Sequence, residues 1–138
     1  MRKLVVVTLA ALAFVVAPGG VAVAASPTLR VALVHTLRGC HIWSVAGKER
    51  AASATVTVAR GTRLAIRVTC PMDFDIAKVR GPSLTLGPTR FYAGTTRTIT
   101  FRRTGRYVLQ ARNVQSSEQA GLQTLGPDNV PVLTVVVR

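Results

Sequence analysis

The stretch ATVTVARGTRLAIRVT, residues 54–69, decides the fold of this chain. Apolar and polar residues alternate through Ala54–Ala59 and again through Arg63–Thr69, which is the pattern of a β-strand with one buried and one exposed face. The intervening Arg-Gly-Thr, residues 60–62, predicts a turn between the two strands. The second segment places its leucine, isoleucine and valine on one face and its two arginines on the other. The stretch therefore predicts a core built from short strands.

Further short strands are predicted on both sides of this stretch, separated by glycine and proline. No segment of the mature chain shows a convincing helical period, and residues 116–129 predict one long irregular loop. About seven strands in such an arrangement are typical of an antiparallel Greek-key β-sandwich. The additional predicted strands are Thr28–Leu37, Arg97–Phe101, Arg106–Arg112 and Val132–Arg138.

Composition and charge limit the possible functions. The chain has 138 residues, of which 49% are hydrophobic, and this length and apolar content predict one small globular domain. Eighteen Lys and Arg residues against five Asp and Glu give a net charge of +13, so carboxylate pairs for acid and base catalysis are scarce. The sequence contains no G-x-S-x-G elbow, no H-E-x-x-H motif and no glycine-rich phosphate loop. We therefore expect a protein without catalytic activity.

The N-terminal segment predicts export. A short basic head is followed by the apolar run Leu4–Ala17, and beyond a proline-glycine break Ala22 and Ala24 supply the small residues that a signal peptidase accommodates. The alternative is an uncleaved membrane anchor, but the run is shorter than the roughly 20 residues that span a bilayer. We expect a signal peptide over residues 1–25 and a mature domain over residues 26–138, secreted or held in the extracytoplasmic envelope without a membrane span.

Four short motifs resemble one family of proteins. They are GCHIW at residues 39–43, Gly81-Pro82, Phe101-x-x-x-Gly105-x-Tyr107, and LGPDN at residues 125–129. Together they are similar to the small secreted cupredoxin-like proteins of actinobacteria, and the resemblance covers essentially the whole mature chain. It implies a cupredoxin-like β-sandwich in which the tyrosine locks a corner of the fold.

The same resemblance implies a type-1 copper site, but this sequence departs from the family at the usual ligands. In cupredoxins one histidine precedes the Gly-Pro region, and a cysteine, a second histidine and often a methionine follow the tyrosine strand. Here residues 70–76 contain no histidine, and residues 110–122 contain no cysteine, histidine or methionine. We therefore expect no metal cofactor. A copper-binding cupredoxin in metal handling or electron transfer is the alternative function.

The two cysteines, Cys40 and Cys70, have two possible roles. In an exported protein an even cysteine count favours a disulfide. Closing a loop of about thirty residues would stabilise the domain by roughly 3 to 4 kcal/mol in the chain-entropy model. In the alternative both thiolates bind a metal together with His41 and Met72, a soft donor set suited to Cu(I) or Zn.

The chain has only two histidines, His35 and His41. Gly39 is expected to end the first strand before His41, so the sequence does not predict that the two rings meet. We expect His35 to be a half-buried strand residue and His41 to be a turn residue bonded to backbone. Trp43 is expected to fill the core.

Arginine dominates the charge of the mature chain, in which Lys48 and Lys78 are the only lysines. Its planar guanidinium binds phosphate and carboxylate groups through a fork of donors. We expect these residues to hold an anionic cell-wall polymer or an envelope protein, with a solvated surface that has no partner as the alternative. Few aromatic residues accompany them, so we expect no specific nucleic acid. The candidate surface residues are Arg63, Arg67, Arg97, Arg102, Arg103 and Arg106.

Overall fold

The computed structural model describes residues 25–36, 41–114 and 130–138. Within these ranges the chain forms ten β-strands. In chain order they are β1 Thr28–His35, β2 His41–Val45, β3 Lys48–Glu49, β4 Ser53–Val58, β5 Arg63–Val68, β6 Asp73–Arg80, β7 Arg90–Phe91, β8 Thr96–Thr100, β9 Gly105–Val114 and β10 Val132–Val137.

The strands form two five-stranded sheets. The first sheet has the order β3-β2-β1-β5-β8 and the second has the order β4-β10-β9-β6-β7. The prediction of an all-β sandwich is confirmed, but each sheet is mixed, because β1 pairs with β5 and β4 pairs with β10 in parallel. These parallel pairs form because the chain crosses to the other sheet before it returns beside the earlier strand.

The predicted core face of β5 is confirmed. Leu64, Ile66 and Val68 are fully buried, while Arg63 and Arg67 are exposed on the opposite face. Full burial of each such apolar side chain contributes about 1.5 to 3 kcal/mol. Neighbouring strands and the opposite sheet add further fully buried side chains to the same cluster, among them the predicted core residue Trp43, together with Leu33, Phe74, Phe91, Phe101, Tyr107, Leu109 and Leu133.

The turn at residues 60–62 connects the two sheets and does not close a hairpin. β4 belongs to the second sheet and β5 to the first. Gly61 takes a positive φ of 87° at the crossing, and its N–H donates to the carbonyl of Phe101 over 2.8 Å. The turn therefore lies directly against the connection between β8 and β9.

The tyrosine corner predicted by the resemblance is present. The hydroxyl of Tyr107 donates to the carbonyl of Arg103 over 2.7 Å, and the Tyr107 ring meets the Phe101 ring edge to face with centroids 4.9 Å apart. Gly105 has a φ of +139°, and a Cβ atom there would lie 2.7 Å from the Cγ atom of Pro82. The corner motif and the Gly-Pro motif therefore pack against each other.

Several predicted features lie outside the described residues. They are residues 1–24 of the expected signal peptide, Cys40, and the expected loop at residues 116–129 with its LGPDN motif. In the part of the chain that the structure describes, no helix is long and apolar enough to cross a membrane.

Candidate functional site

Two opposite ends of the sandwich carry the side chains with distinctive chemistry. The end at which β1, β5 and β9 begin is rich in arginine. The end at which β1 and β5 finish and β2 and β6 begin carries both histidines, Cys70 and Met72. We call the second region the histidine end.

Six exposed arginines form a strip from the first end onto the outer face of the first sheet, as strand register and turn hydrogen bonds place them. We call this strip the arginine track, and its members are Arg30, Arg60, Arg63, Arg67, Arg102 and Arg103. On β5, Arg63 and Arg67 point outward and are about 13 Å apart along the strand. Arg30 of β1 lies on the same face opposite Ala65, so its Cα is about 8 Å from each of them.

The turns at the end of the sandwich extend the track. The Gly61–Phe101 hydrogen bond and a second one, from the Phe101 N–H to the Thr62 carbonyl over 3.2 Å, join the β4–β5 turn to the β8–β9 connection. Arg60 therefore lies beside Arg102 and Arg103 although some forty positions separate them in the sequence. This proximity depends on the crossing between the sheets.

A shallow groove of about 400 Å³ lies between Arg30 and Arg67 on the outer face of the first sheet. The small side chains of Ala32, Ser44 and Ala65 form part of its lining, and Arg30 and Arg67 belong to its walls. Because these central side chains are short, an extended ligand can approach the sheet between the two guanidinium groups. Arg30 and Arg67 therefore give the groove two cationic side chains.

Two of the described carboxylates, Asp73 and Asp75, lie on the second sheet, away from this groove. Asp75 on β6 binds the Nε atom of Arg90 over 2.8 Å, and this hydrogen bond raises the pKa of the Arg90 guanidinium. Asp73 accepts the N–H of Ala93 over 2.9 Å. Glu49 lies on β3 opposite Ser44, so its carboxylate borders the groove on the side away from Arg67. Among the described residues, no ion pair neutralises an arginine of the track.

The predicted surface arginines divide among several parts of the molecule. Arg63, Arg67, Arg102 and Arg103 belong to the track, whereas Arg106 points outward from β9 on the second sheet. Arg30 was missing from the predicted set. Its position between Leu29 and Val31 in β1 was the signal that could have identified it, because it places Arg30 on the exposed face.

Arg97 requires a correction, because its side chain does not lie on the outer face with the other arginines. It is half-buried, and its guanidinium lies over the Phe91 ring, 4.4 Å from the centroid. It also donates to the carbonyls of Pro88 and Arg90. A guanidinium with these partners covers the edge of the core, so we exclude Arg97 from the track.

The structure brings the two histidines together at the histidine end. His35 on β1 lies opposite His41 on β2, and the Nδ1 atom of His35 is 3.2 Å from the Nε2 atom of His41. His41 is the first residue of β2 and is buried, so the expectation of a turn residue is wrong. Its ring meets the Phe74 ring edge to face, with centroids 5.0 Å apart.

Cys70 follows β5 and is buried beside the same end of the sandwich. It carries a free thiol in the structure, whose Sγ donates to the carbonyl of Leu33 over 3.3 Å. Burial raises the pKa of this thiol to about 11. Cys40 lies outside the described residues, so the Cys40–Cys70 disulfide stays a prediction.

The residues at this end do not fit the copper site that the resemblance implies. A type-1 site needs a thiolate and two imidazoles around one ion. Across residues 25–36, 41–114 and 130–138, no three His, Cys, Asp or Glu side chains come together as a ligand group. The Cys70 thiol bonds to a carbonyl, and the Sδ atom of Met72 accepts the Nδ2 group of Asn113 over 3.0 Å. We therefore derive no chemistry through a copper ion.

Comparison with known proteins gave matches among solved structures only. No protein-family model matches the chain, and no curated protein matches it. A purple cupredoxin from Nitrosopumilus maritimus is similar with 13% identity and a TM-score of 0.45, covering 80% of this chain and 99% of that chain. Reduced rusticyanin is similar with 15% identity and a TM-score of 0.43, covering 80% and 78% of the two chains.

A multicopper oxidase from the hyperthermophile Aquifex aeolicus is similar with 9% identity and a TM-score of 0.46. That match covers 80% of this chain and 26% of the oxidase. Cupredoxins are therefore among the solved structures that match this chain. Similarity at this level assigns no ligand, metal or partner to this chain.

Proposed function

We propose that this protein is an exported, non-catalytic binding module that holds an anionic polymer of the cell envelope along the arginine track. The binding uses no metal cofactor. The observation that carries the proposal is the continuity of the track, which joins Arg67 and Arg30 beside the groove to Arg63 and then to the turn arginines Arg60, Arg102 and Arg103 at the end of the sandwich.

The energetics of exposed charges favour a polymer as the ligand over a single small anion. One exposed ion pair contributes about 0.2 to 1 kcal/mol, so a lone phosphate or carboxylate group binds weakly. A polymer with repeated negative charges contacts several arginines at once, and each contact after the first is made at high effective concentration. The length of the track therefore matters more than the strength of any one contact.

The distribution of charge gives the binding a preferred side of the molecule. The ion pair between Asp75 and Arg90 lies on the second sheet. Arg80 and Arg106 also point outward from that sheet, but they lie on a different face from the track. A polyanion attracted by net charge alone would use both faces, whereas the proposal requires the first.

The test compares two charge-matched double variants of the purified chain. We expect the wild-type chain to bind immobilised polyphosphate, as a phosphate polymer, or polyglutamate, as a carboxylate polymer, with an affinity that falls as salt is raised. Arg63→Gln/Arg67→Gln should weaken binding by about five- to tenfold. Arg80→Gln/Arg106→Gln removes the same charge from the second sheet and should change it by less than about twofold.

Two results would overturn the proposal. One is the absence of salt-sensitive retention on either polymer. The other is an equal loss in both double variants, which would mean that net charge and not the track determines binding. A preference for one polymer over the other would identify the charged group that the track recognises.

A further inference from the structure

The contact between His35 and His41 is separate from the arginine track. His35 has the core-facing parity of Leu33, whereas Arg67 lies on the outer face of the sheet. From the geometry of the contact we propose that the two imidazoles form a binding site for a borderline divalent cation such as Zn²⁺, with water molecules as the remaining ligands. The site needs no thiolate, so it differs from the copper centre of cupredoxins in ligand set.

The distance between the two nitrogens suits a shared ion. Zn²⁺ binds histidine nitrogen at about 2.0 to 2.1 Å, so two nitrogens on one tetrahedral ion lie about 3.3 Å apart. The Nδ1 atom of His35 and the Nε2 atom of His41 are already 3.2 Å apart. The rings are tilted by 55°, with centroids 5.0 Å apart, so their nitrogen edges face each other and not their ring faces. The separation of the two nitrogens therefore already matches that of two histidine ligands on one ion.

The surroundings of the two rings differ: the His41 ring is held by packing, whereas the His35 ring is accessible to solvent. His41 is 2% exposed and its ring lies against Phe74, whereas His35 is exposed at the end of β1. Both residues belong to paired strands, which position ligands more rigidly than loops do. The exposed side of His35 gives the ion a route from solvent and leaves room for water ligands.

Binding changes the protonation of the pair in a defined way. Without an ion, one ring donates its N–H to the bare nitrogen of the other. The ion takes both of these nitrogens, so the donating ring must carry its proton on its other nitrogen instead. No oxidation or covalent step is involved, and the two rings remain neutral ligands.

Nearby sulfur atoms do not belong to the proposed site. The Cys70 thiol donates to the Leu33 carbonyl, and burial favours its protonated form. The Met72 sulfur accepts a hydrogen bond from Asn113. Cys70→Ala is therefore a matched control, since it removes a neighbouring soft donor without touching either imidazole.

The test is a Zn²⁺ titration of the full chain without a histidine tag, followed by calorimetry and by NMR of the histidine rings. Because the chain has only two histidines, each ring signal is assigned by one variant. We expect one ion per chain, shifts in both ring signals, and at least about tenfold weaker binding in His35→Ala. His35 is exposed, so this variant should keep its fold. Cys70→Ala should bind within about twofold of the wild type.

Three results would overturn the proposal. They are the absence of stoichiometric Zn²⁺ binding, unchanged affinity in His35→Ala, and loss of binding in Cys70→Ala with its fold intact. His41→Gln provides a second measurement at the buried ligand, with its fold checked by thermal unfolding. Retained Zn²⁺ affinity in folded His41→Gln would likewise overturn it, because the two rings would then form a hydrogen bond and no ion site.

Discussion

Gly81 lies directly against the backbone of Arg106, so closely that a Cβ atom on Gly81 would be 2.4 Å from the carbonyl oxygen of Arg106. The φ of Gly81 is +114°, a conformation that residues with a side chain rarely adopt. The β6 end and the β9 corner therefore touch at a position that only glycine can occupy.

We predict that Gly81→Ala lowers the free energy of unfolding by about 2 to 4 kcal/mol, because it adds a backbone clash to an unfavourable φ. Urea unfolding measures the effect. The matched control is Gly87→Ala, since Gly87 has a φ of +71° with no atom within 4 Å of its added Cβ. The control should cost about 1 kcal/mol. Equal losses of unfolding free energy in the two variants would show that the clash with Arg106 does not affect stability.

The sequence predicted six of the ten described strands to within a few residues, namely β1, β4, β5, β8, β9 and β10. It missed β6, although the buried Phe74 and Ile76 alternate there with less buried residues. In β2 four of five residues are buried, so Ile42 alone breaks the run and no alternation exists to detect. β3 and β7 have only two residues each and depend on their partner strands. The sheet to which β4 and β5 belong was not predictable, because a Gly turn suits a hairpin and a crossing equally.

We predict that Arg97→Ala destabilises the fold by about 1 to 2 kcal/mol, because it removes the guanidinium from the Phe91 ring and its two hydrogen bonds to carbonyls. Arg63→Ala is the matched control, since Arg63 is exposed on the track and its loss should change stability by less than about 0.5 kcal/mol. Thermal and urea unfolding compare the two. Polymer binding should respond in the opposite order, with Arg63→Ala the weaker binder. An Arg97→Ala variant with the stability of the wild type would contradict the structural role of Arg97.

Local alternation in the sequence also predicted only part of the candidate site. Arg97 alternates in phase with the buried Ile99, so the sequence already contained the signal that it faces inward. The contact between His35 and His41 was not predictable, because it depends on the register between β1 and β2 across residues 37–40. The proximity of Arg60 to Arg102 likewise depends on hydrogen bonds between two distant turns. Register and crossing are tertiary properties that local alternation does not encode.

We predict that the reduced protein loses stability as the pH rises from about 9 to about 11, through Cys70. Burial raises the pKa of its thiol from 9.0 to about 11, so the folded state keeps a proton that the unfolded chain loses in this range. The folded state therefore binds more protons there, and the free energy of unfolding falls with rising pH. Other groups also affect stability at high pH, so the measured quantity is the difference between wild type and Cys70→Ala. A difference that does not vary with pH would contradict the prediction.

The predicted Cys40–Cys70 disulfide is tested by the intact mass of the exported chain, taken without and then with reductant. We expect the unreduced protein to be lighter by two hydrogens and to begin near Ala25 or Ser26, and reduction should lower the free energy of unfolding by roughly 3 kcal/mol. A disulfide removes the S–H proton that Cys70 donates to the Leu33 carbonyl, so its formation would also remove the pH effect assigned to the free thiol. Alkylation of both cysteines in the unreduced, denatured protein would show that the bridge is absent. The same mass spectrum also reports the position of signal cleavage. Cleavage bears on the bridge because export supplies the oxidising compartment on which a disulfide depends.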